Sequence, residues 1–141
     1  MTPTVFDTTV DELAIRRTIE EYSDAVCRRR SDEIMALWDE DCRWSVPDMK
    51  GLEDVRGKEL ICATFEGAQD LFSFVFLVCT PGHIRIKGDR AWVRTYTTER
   101  LVDLDGTIRN AVGRYDDQLI KRDGKWLFSE RVWYILHSQE A

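Results

Sequence analysis

The chain has 141 residues, of which 43% are hydrophobic and 33% charged, and its formal net charge is −6. This size and composition predict one globular domain over residues 1–141. The acidic balance argues against a nucleic-acid partner, because phosphate binding depends on clustered basic groups. No apolar run reaches the ~18 residues that cross a membrane, and the first residues lack the pattern of a secretion signal. We therefore expect a cytoplasmic protein without a membrane partner.

The first half of the chain has helical periodicity. Thr9 and Glu12 have the spacing of a capping box, which predicts the start of the first helix. A second, short helix is expected from Ser31, burying Trp38, and a third from Lys58 to about residue 68. Residues 43–46 between them predict a short strand. In the first helix, apolar residues recur at intervals of four, three and four and form one face: Ile15, Ile19, Tyr22 and Val26.

The second half predicts a meander of four long strands. Gly88, Gly106 and Gly124 stand in polar turns between runs of β-branched and aromatic residues, so each predicts a reversal of an antiparallel sheet. Pro81 cannot donate a ladder hydrogen bond and predicts a bulge. Strands this long twist and coil strongly. The expected fold is α+β: three N-terminal helices on a cone-shaped, curved, mostly antiparallel sheet. The strands are predicted at 72–86, 91–102, 107–121 and 126–136.

Short motifs spread over nearly the whole chain carry a family resemblance. In their order and spacing they resemble the SnoaL-like branch of the nuclear transport factor 2-like superfamily. Its members include ketosteroid isomerase, scytalone dehydratase and polyketide cyclases, and also non-catalytic β subunits of ring-hydroxylating dioxygenases. The resemblance implies a cofactor-free small-molecule pocket. The motifs are Tyr22, Trp38-Asp39-Glu40-Asp41, Trp44-Ser45-Val46-Pro47, Gly57, residues 84–91, Arg114-Tyr115-Asp116-Asp117, Asp123-Gly124-Lys125-Trp126 and Arg131.

Two positions depart from the pattern that the resemblance implies. SnoaL-like dehydratases and cyclases often carry an acidic residue five positions after the tyrosine of the first helix, where this chain has Cys27. They often carry a histidine shortly before the break in the first long strand, where this chain has Leu77. Because an acid–base pair needs ionisable groups within reach of the substrate, these departures keep a non-catalytic role open.

Two polar residues are candidates for chemistry on the pocket side of the fold. Tyr22 lies on the apolar face of the first helix. Its hydroxyl is expected either to donate a hydrogen bond to a substrate oxygen that gains negative charge or to bond the backbone as a core tyrosine. Asp117 shares a strand face with Tyr115 and Gly113. If that face is concave, Asp117 is a buried general base; otherwise it is an exposed strand carboxylate.

Two further candidates depend on how the strands turn. His83 follows Pro81 and Gly82, where a bulge could direct the imidazole inward as a base; the alternative is an exposed histidine. Arg131 is predicted either to clamp a ligand anion or to pair across strands with Glu99 or Asp117.

The remaining pocket residues predict an apolar lining. Cys27 is expected to be an inert thiol that borders the cavity, since no activating base adjoins it. The four cysteines and two histidines lack the spacing of a zinc site, so we expect no metal and no cofactor. An aromatic lining favours a small, apolar, cyclic ligand. The expected walls are Trp38, Trp44, Phe65, Phe72 and Leu77.

These residues support two hypotheses about function. The first is a cofactor-independent lyase or isomerase of the dehydratase or cyclase type, in which Tyr22 assists proton abstraction by Asp117 or His83 from a cyclic, aromatic or polyketide-like substrate. The second is a binding or assembly protein that has lost the acid–base pair. In either case three helices cannot cover both faces of the sheet, so we expect a homodimer through the sheet. The expected outer residues are Trp92 or Val93, and Trp133 or Val132.

Overall fold

The structure, a computed structural model, describes the backbone of residues 5–141 and the side chains of residues 8–141. Three helices lie in the first half of the chain: α1 (Val5–Cys27), α2 (Ser31–Met35) and α3 (Lys58–Gln69). Two strands, β1 (Trp38–Ser45) and β2 (Val55–Arg56), come between α2 and α3. None of these helices is both long enough and apolar enough to cross a membrane.

Two predicted boundaries in this half are wrong. The first helix begins before Thr9, so the expected capping box lies inside α1 rather than at its start. Trp38, expected at the end of the second helix, is the first residue of β1. It pairs with Phe128, which lies 90 positions later in the chain. Pairing over such a distance is a tertiary interaction, and it outweighs the local helical pattern around Trp38.

Four long strands complete the chain: β3 (Phe72–Lys87), β4 (Arg90–Asp103), β5 (Ile108–Arg122) and β6 (Lys125–Glu140). Each pairs with the next in antiparallel register. Gly88, Gly106 and Gly124 occupy the three connections and have positive φ angles of 58°, 91° and 78°. Glycine adopts this conformation without a steric penalty. The predicted reversals are confirmed.

The six strands form one sheet in the order β2-β1-β6-β5-β4-β3. The β1–β6 pair is parallel and the other pairs are antiparallel. The predicted α+β fold with a mostly antiparallel sheet is therefore confirmed. The bulge expected at Pro81 is also present, as a register shift between Pro81 and His83.

Side chains of the meander alternate between an inner face, toward α1, and an outer face. On β3, Val75, Leu77 and Cys79 are buried on the inner face, whereas the intervening residues are exposed. The carboxyl-terminal part of α1 is tied to the free edge of β3, where the Cys79 N–H donates to Ser23 Oγ at 3.0 Å. This contact fixes where α1 lies on the sheet.

The core lies between α1 and the inner face. The predicted apolar face of the first helix is buried as expected: Ile15, Ile19 and Tyr22 are fully enclosed, and Val26 nearly so. The Thr18 hydroxyl donates to the Trp126 carbonyl at 2.9 Å and joins α1 to β6. Burying large apolar side chains stabilises the fold by about 1.5–3 kcal/mol each.

Candidate functional site

A buried ion pair lies at the centre of the inner face. Asp117 on β5 and Arg131 on β6 are direct cross-strand partners, and neither side chain is exposed. Arg131 donates through Nε to Asp117 Oδ1 at 2.7 Å and through Nη2 to Oδ2 at 3.1 Å. The Thr95 hydroxyl donates to the same Oδ2 at 2.7 Å. The bidentate geometry fixes the plane of the guanidinium.

Three aromatic rings enclose the Arg131 guanidinium. Its central carbon lies 4.3 Å from the ring centroid of Tyr22, 3.7 Å from that of Tyr115 and 4.2 Å from that of Phe128. Each distance is within the range of a cation–π interaction. We call this group, with Asp117, the Arg131 cluster: Tyr22, Tyr115, Asp117, Phe128 and Arg131.

The cluster holds its charges in a nonpolar environment. Burial raises the pKa of Asp117, while Arg131 and Thr95 oppose that rise. Burial works against the Arg131 cation, but the Asp117 charge and hydrogen bond, together with Tyr115 and Cys79, outweigh it and raise the pKa of Arg131. We assign Asp117 as ionised at neutral pH, because Arg131 stays charged and has no other counter-ion among the described residues.

Two hydrogen-bond donors of the cluster have no partner within the described part of the chain. They are the Tyr22 hydroxyl and Arg131 Nη1, and both are buried. The Tyr115 hydroxyl lies near that of Tyr22, and the Cys79 thiol lies near Arg131, so each influences the pKa of its neighbour, but neither contact gives Tyr22 or Arg131 Nη1 a hydrogen bond of good geometry. A buried donor without a partner costs about 1–3 kcal/mol. Two such donors around one guanidinium indicate a place where a ligand oxygen or a water would be bound.

The two phenols of the cluster are hydrogen-bonding groups and not bases. Burial and the neighbouring Tyr115 raise the pKa of Tyr22 well above its ordinary value. Burial likewise raises the pKa of Tyr115 to about 12. Tyr115 accepts a hydrogen bond from Trp44 Nε1 at 3.4 Å. The Tyr22 hydroxyl is therefore protonated throughout the neutral range and available to donate.

Aromatic walls extend from the cluster toward solvent. Phe65 on α3 meets Tyr22 edge to face, with 6.0 Å between centroids, and lies 5.5 Å from Trp44. Phe65 is only partly buried, so this wall of the cluster reaches the surface. On β6, Trp133 donates through Nε1 to Thr97 Oγ1 at 3.0 Å.

The two positions that depart from the family pattern are in contact. Cys27 Sγ lies 3.3 Å from both the backbone nitrogen and the carbonyl oxygen of Leu77, accepting from the first and donating to the second. Leu77 itself is buried in the core. A thiol bonded to backbone and an alkyl side chain cannot act as a general acid–base pair.

The structure brings some of the predicted residues together and separates others. Tyr22, Asp117 and Arg131 meet in one cluster, and Asp117 is the cross-strand partner of Arg131 that was one of the expected alternatives. His83 is exposed, opposite Arg94, and lies apart from the cluster. Trp38 packs against Phe128 of the cluster, with 5.5 Å between the ring centroids. Catalytic roles for Tyr22, Asp117 and His83 stay predictions.

Tyr115 and Phe128 were not predicted as members of the site, and a bulge explains why Phe128 belongs to it. Tyr115 was visible as a neighbour of Asp117 on one strand face. Phe128 and Arg131 are three residues apart, and simple alternation places such residues on opposite faces. An irregularity in the β5–β6 pairing between the Gln118 and Leu119 positions brings both to the inner face. No turn residue in the sequence marks that irregularity.

Three cavities bordered by described residues lie away from the Arg131 cluster. One of about 310 Å³ is bordered by the ion pairs Asp39–Arg122 and Arg43–Glu130. A second, of about 620 Å³, lies beside the start of α3. The third, of about 480 Å³, opens on the outer face of the sheet. Within the described residues, no group of three or more His, Cys, Asp or Glu side chains is arranged to hold a metal ion. The outer-face cavity is bordered by Phe74, Phe76, Thr98, Arg100, Asn110, Val112, His137 and Gln139, and by Glu99 and Ala111.

Comparison with known proteins gives a family and a fold. The sequence profile of the SnoaL-like domain matches residues 7–132. No curated protein matches the sequence. Among solved structures, a proposed scytalone dehydratase from Novosphingobium aromaticivorans has a TM-score of 0.88 at 23% identity, covering 98% of this chain and 92% of the other.

Two more solved structures have the same architecture. A type 2 hexachlorocyclohexane dehydrochlorinase, LinA, has a TM-score of 0.85 at 15% identity and covers 98% of this chain and 93% of its own. A proposed aromatic ring hydroxylase from Novosphingobium aromaticivorans has a TM-score of 0.83 at 21% identity. The match covers 100% of this chain and 96% of the other. At these identities the likeness establishes the fold alone, because one fold serves many functions.

Proposed function

The chain belongs to the SnoaL-like domain family, and we propose that it is a cofactor-independent lyase that binds a small cyclic ketone. In this proposal the enzyme removes a proton next to the carbonyl group and then expels a leaving group from the neighbouring carbon. The Arg131 cluster binds the carbonyl oxygen. The substrate is an apolar, aromatic or polyketide-like ring.

The observation that carries the proposal is the pair of unsatisfied donors. The Tyr22 hydroxyl and Arg131 Nη1 are buried, unpaired within the described residues and joined through the contact of the guanidinium with the Tyr22 ring. A carbonyl oxygen placed between them would satisfy both. As the oxygen gains charge in an enolate, hydrogen bonds from these donors strengthen, which lowers the barrier to proton removal.

The reaction can be written for a β-hydroxy ketone. A base takes the proton from the carbon between the carbonyl and the hydroxyl-bearing carbon, and the C–H electrons form an enolate. The enolate electrons then form a C=C bond as the C–O bond breaks, and the departing hydroxide takes the proton that the base had accepted and leaves as water. Asp117 is the carboxylate of the cluster, so we assign it the proton; Tyr22, with its raised pKa, stays the donor to oxygen.

Access to the two donors sets the shape of the substrate. Tyr22, Arg131 and Phe128 are fully enclosed, whereas Phe65 is partly exposed. A ligand that displaces the Phe65 ring reaches the Tyr22 hydroxyl directly. Because Phe65, Trp44 and Trp133 are aromatic, a flat apolar ring fits this route better than a sugar or a nucleotide.

The structural neighbours agree with this reaction class. One is named a scytalone dehydratase and another a hexachlorocyclohexane dehydrochlorinase. Both names describe elimination of a small molecule, water in the first and hydrogen chloride in the second. The identities of 23% and 15% leave the substrate of this chain to be established by experiment.

A second candidate function, ligand binding without turnover, is favoured by a different observation. Cys27 and Leu77 occupy the positions where the family resemblance implies an acid and a base, and Cys27 is bonded to the Leu77 backbone. Asp117 in turn is held by Arg131 and Thr95. A protein in which these groups only support the pocket would bind the same ligands and release them unchanged.

Turnover of 3-hydroxy-1-tetralone decides between the lyase and the binding protein. Loss of water from this bicyclic β-hydroxy ketone gives 1-naphthol, whose fluorescence reports the reaction. We expect turnover by the wild type and, for Tyr22→Phe, a loss of about a hundredfold or more in kcat, the usual effect of removing one donor to a developing oxyanion.

The matched control is Tyr96→Phe, which removes an exposed phenol from the outer face. This variant is expected to keep the wild-type rate. Equal rates for Tyr22→Phe and the wild type would contradict the role of Tyr22. Binding of 1-naphthol by a wild type that produces none from the hydroxy ketone would replace the enzyme by the binding protein.

A further inference from the structure

The outer-face cavity lies over a regular part of the sheet. Two neighbouring rows of residues cross β3, β4, β5 and β6 there, and adjacent members of each row are cross-strand partners. Because residues two apart on a strand point to the same side, both rows direct their side chains to the outer face. The first row is Phe76, Arg100, Asn110 and Gln139, and the second is Val78, Thr98, Val112 and His137.

Arg100 lies in the middle of the first row. Its Nε donates to Asn110 Oδ1 at 2.9 Å, which joins the guanidinium to the neighbouring strand. Within residues 8–141 Arg100 forms no ion pair, and its two terminal nitrogens have no hydrogen-bond partner there. Two terminal guanidinium nitrogens side by side match the two oxygens of a carboxylate. The side chain is therefore oriented by Asn110 and has its carboxylate-binding edge free.

The walls of the cavity are apolar on the β3 side, where Phe74 and Phe76 border it with 48% and 44% of their surfaces exposed. Val112 on β5 adds a third exposed apolar side chain. A contiguous exposed apolar patch marks a surface that binds something. The volume of about 480 Å³ falls within the roughly 300–1,000 Å³ of small-molecule sites.

The residues around the cavity leave the charge of Arg100 uncompensated. Glu99 is the one carboxylate among the bordering residues, but alternation along β4 directs its side chain to the inner face. It forms no ion pair with Arg100. Neither row contains an aspartate or a glutamate. A single cation beside two phenylalanine rings is complementary to an apolar molecule that carries one negative charge.

We propose that the outer-face cavity binds an apolar carboxylic acid in its ionised form, and that Arg100 pairs with the carboxylate. The ring or alkyl chain of the ligand packs against Phe74 and Phe76. Bidentate pairing with a guanidinium that Asn110 already holds gives the ligand one orientation. The site lies on the opposite side of the sheet from the Arg131 cluster and is independent of the proposed function.

A second copy of the chain packed on the outer face would cover this cavity. It would bring no acidic partner for Arg100 from the same two rows, since these rows contain no carboxylate. A ligand carboxylate therefore completes the site in a monomer and in a dimer alike. A dimer that fills the cavity instead would leave no room for the ligand, and binding would not be detected.

Calorimetric titration with three probes tests the site. The probes are 2-naphthoate, which joins a carboxylate to rings, octanoate, which joins it to an alkyl chain, and 2-naphthamide, the uncharged analogue of the first. We expect the wild type to bind 2-naphthoate at least about tenfold more tightly than 2-naphthamide, the usual effect of a hydrogen bond between charged groups. Comparison of 2-naphthoate with octanoate distinguishes an aromatic from an alkyl acid, and binding of either through Arg100 supports the proposal.

Arg100→Gln is expected to remove the preference for 2-naphthoate over 2-naphthamide. The matched control is Arg94→Gln, an exposed arginine on the same face of β4 that does not border the cavity. This variant should keep the preference. Because 2-naphthamide tests the need for a negative charge on the wild type itself, the comparison does not depend on how well a variant folds.

Three results would overturn the proposal. The first is a wild type that binds neither acid, or that binds 2-naphthoate and 2-naphthamide equally. The second is an equal loss in Arg100→Gln and Arg94→Gln, which indicates general attraction of anions. The third is a preference that Tyr22→Phe removes and Arg100→Gln keeps, since the acid then binds at the Arg131 cluster. Absence of turnover of 3-hydroxy-1-tetralone contradicts the lyase and leaves this binding result unaffected.

Discussion

Arg131 depends on a single carboxylate for its counter-charge. The guanidinium is surrounded by three rings and pairs only with Asp117 among the described residues. Aromatic faces attract a cation but do not replace hydrogen bonds to an anion. The ion pair therefore has a structural function: it holds the guanidinium against the Tyr22 ring, with Nη1 unpaired among the described residues.

Removal of the Asp117 charge should be strongly destabilising. Asp117→Asn leaves the Arg131 charge buried without compensation, which is expected to lower the free energy of unfolding by about 3–5 kcal/mol. Urea unfolding followed by circular dichroism measures the change. The control is Asp116→Asn, one residue earlier, where an exposed carboxylate pairs with Arg114 and a change below about 1 kcal/mol is expected. Similar losses for both variants would contradict a buried, charged pair.

At the level of elements, the sheet positions the site through the irregularities of its strands. The register shift in the β5–β6 pair brings Phe128 and Arg131 to one face. Gly113 in mid-strand leaves room for the Trp133 indole, which then reaches Thr97 on β4. The rings and donors of the site thus come from four strands, β1, β4, β5 and β6, and from α1 and α3.

Gly113 should not tolerate a side chain. In Gly113→Ala the new Cβ atom collides with the Trp133 indole, so the ring must move and lose its hydrogen bond to Thr97. Crowding of this kind costs about 1–3 kcal/mol, measurable by urea unfolding. Gly67→Ala is the matched control, because nothing lies near the added atom in α3 and alanine favours a helix by about 0.5–1 kcal/mol. A stabilised Gly113→Ala would show that the indole lies elsewhere.

The sequence predicts local elements better than contacts between them. Turn glycines, strand alternation and Pro81 each act on their own neighbours, so the four long strands and the bulge follow from local rules. Trp38 in β1 and the inward placement of Phe128 depend on pairing with distant strands. For Asp117, alternation defines its neighbours on β5, but only the assembled sheet shows that Arg131 and Thr95 bind it.

For the whole molecule, the outer face of the sheet is the largest surface that the helices leave uncovered. Five exposed apolar residues lie there on β3, β4 and β5, and we call them the outer strip: Phe74, Phe76, Val78, Tyr96 and Val112. Register places Val78, Thr98 and Val112 side by side across the three strands. Of the expected outer residues, Trp92 and Val132 lie on this face, whereas Val93 is buried and Trp133 lines the site.

We propose that the outer strip is covered by a second copy of the chain. A two-fold axis brings the same apolar strip onto itself, so one surface serves both partners. Val112→Lys places two like charges at the centre of such an interface and should convert dimers to monomers at micromolar concentration in sedimentation velocity. Leu13→Lys, at an exposed position of α1, should leave the dimer intact. A monomeric wild type would contradict the proposal.

Tyr22 and Arg131 are proposed to bind one ligand oxygen together. A crystal structure of the wild type with 1-naphthol tests it most directly, because the aromatic alcohol resembles the enolate of a cyclic ketone. We expect the naphthol oxygen within about 3.2 Å of both the Tyr22 hydroxyl and Arg131 Nη1, with the Phe65 ring displaced. Naphthol bound in the outer-face cavity beside Phe76, or in the site with its oxygen turned away from both donors, would show that these donors do not bind the ligand.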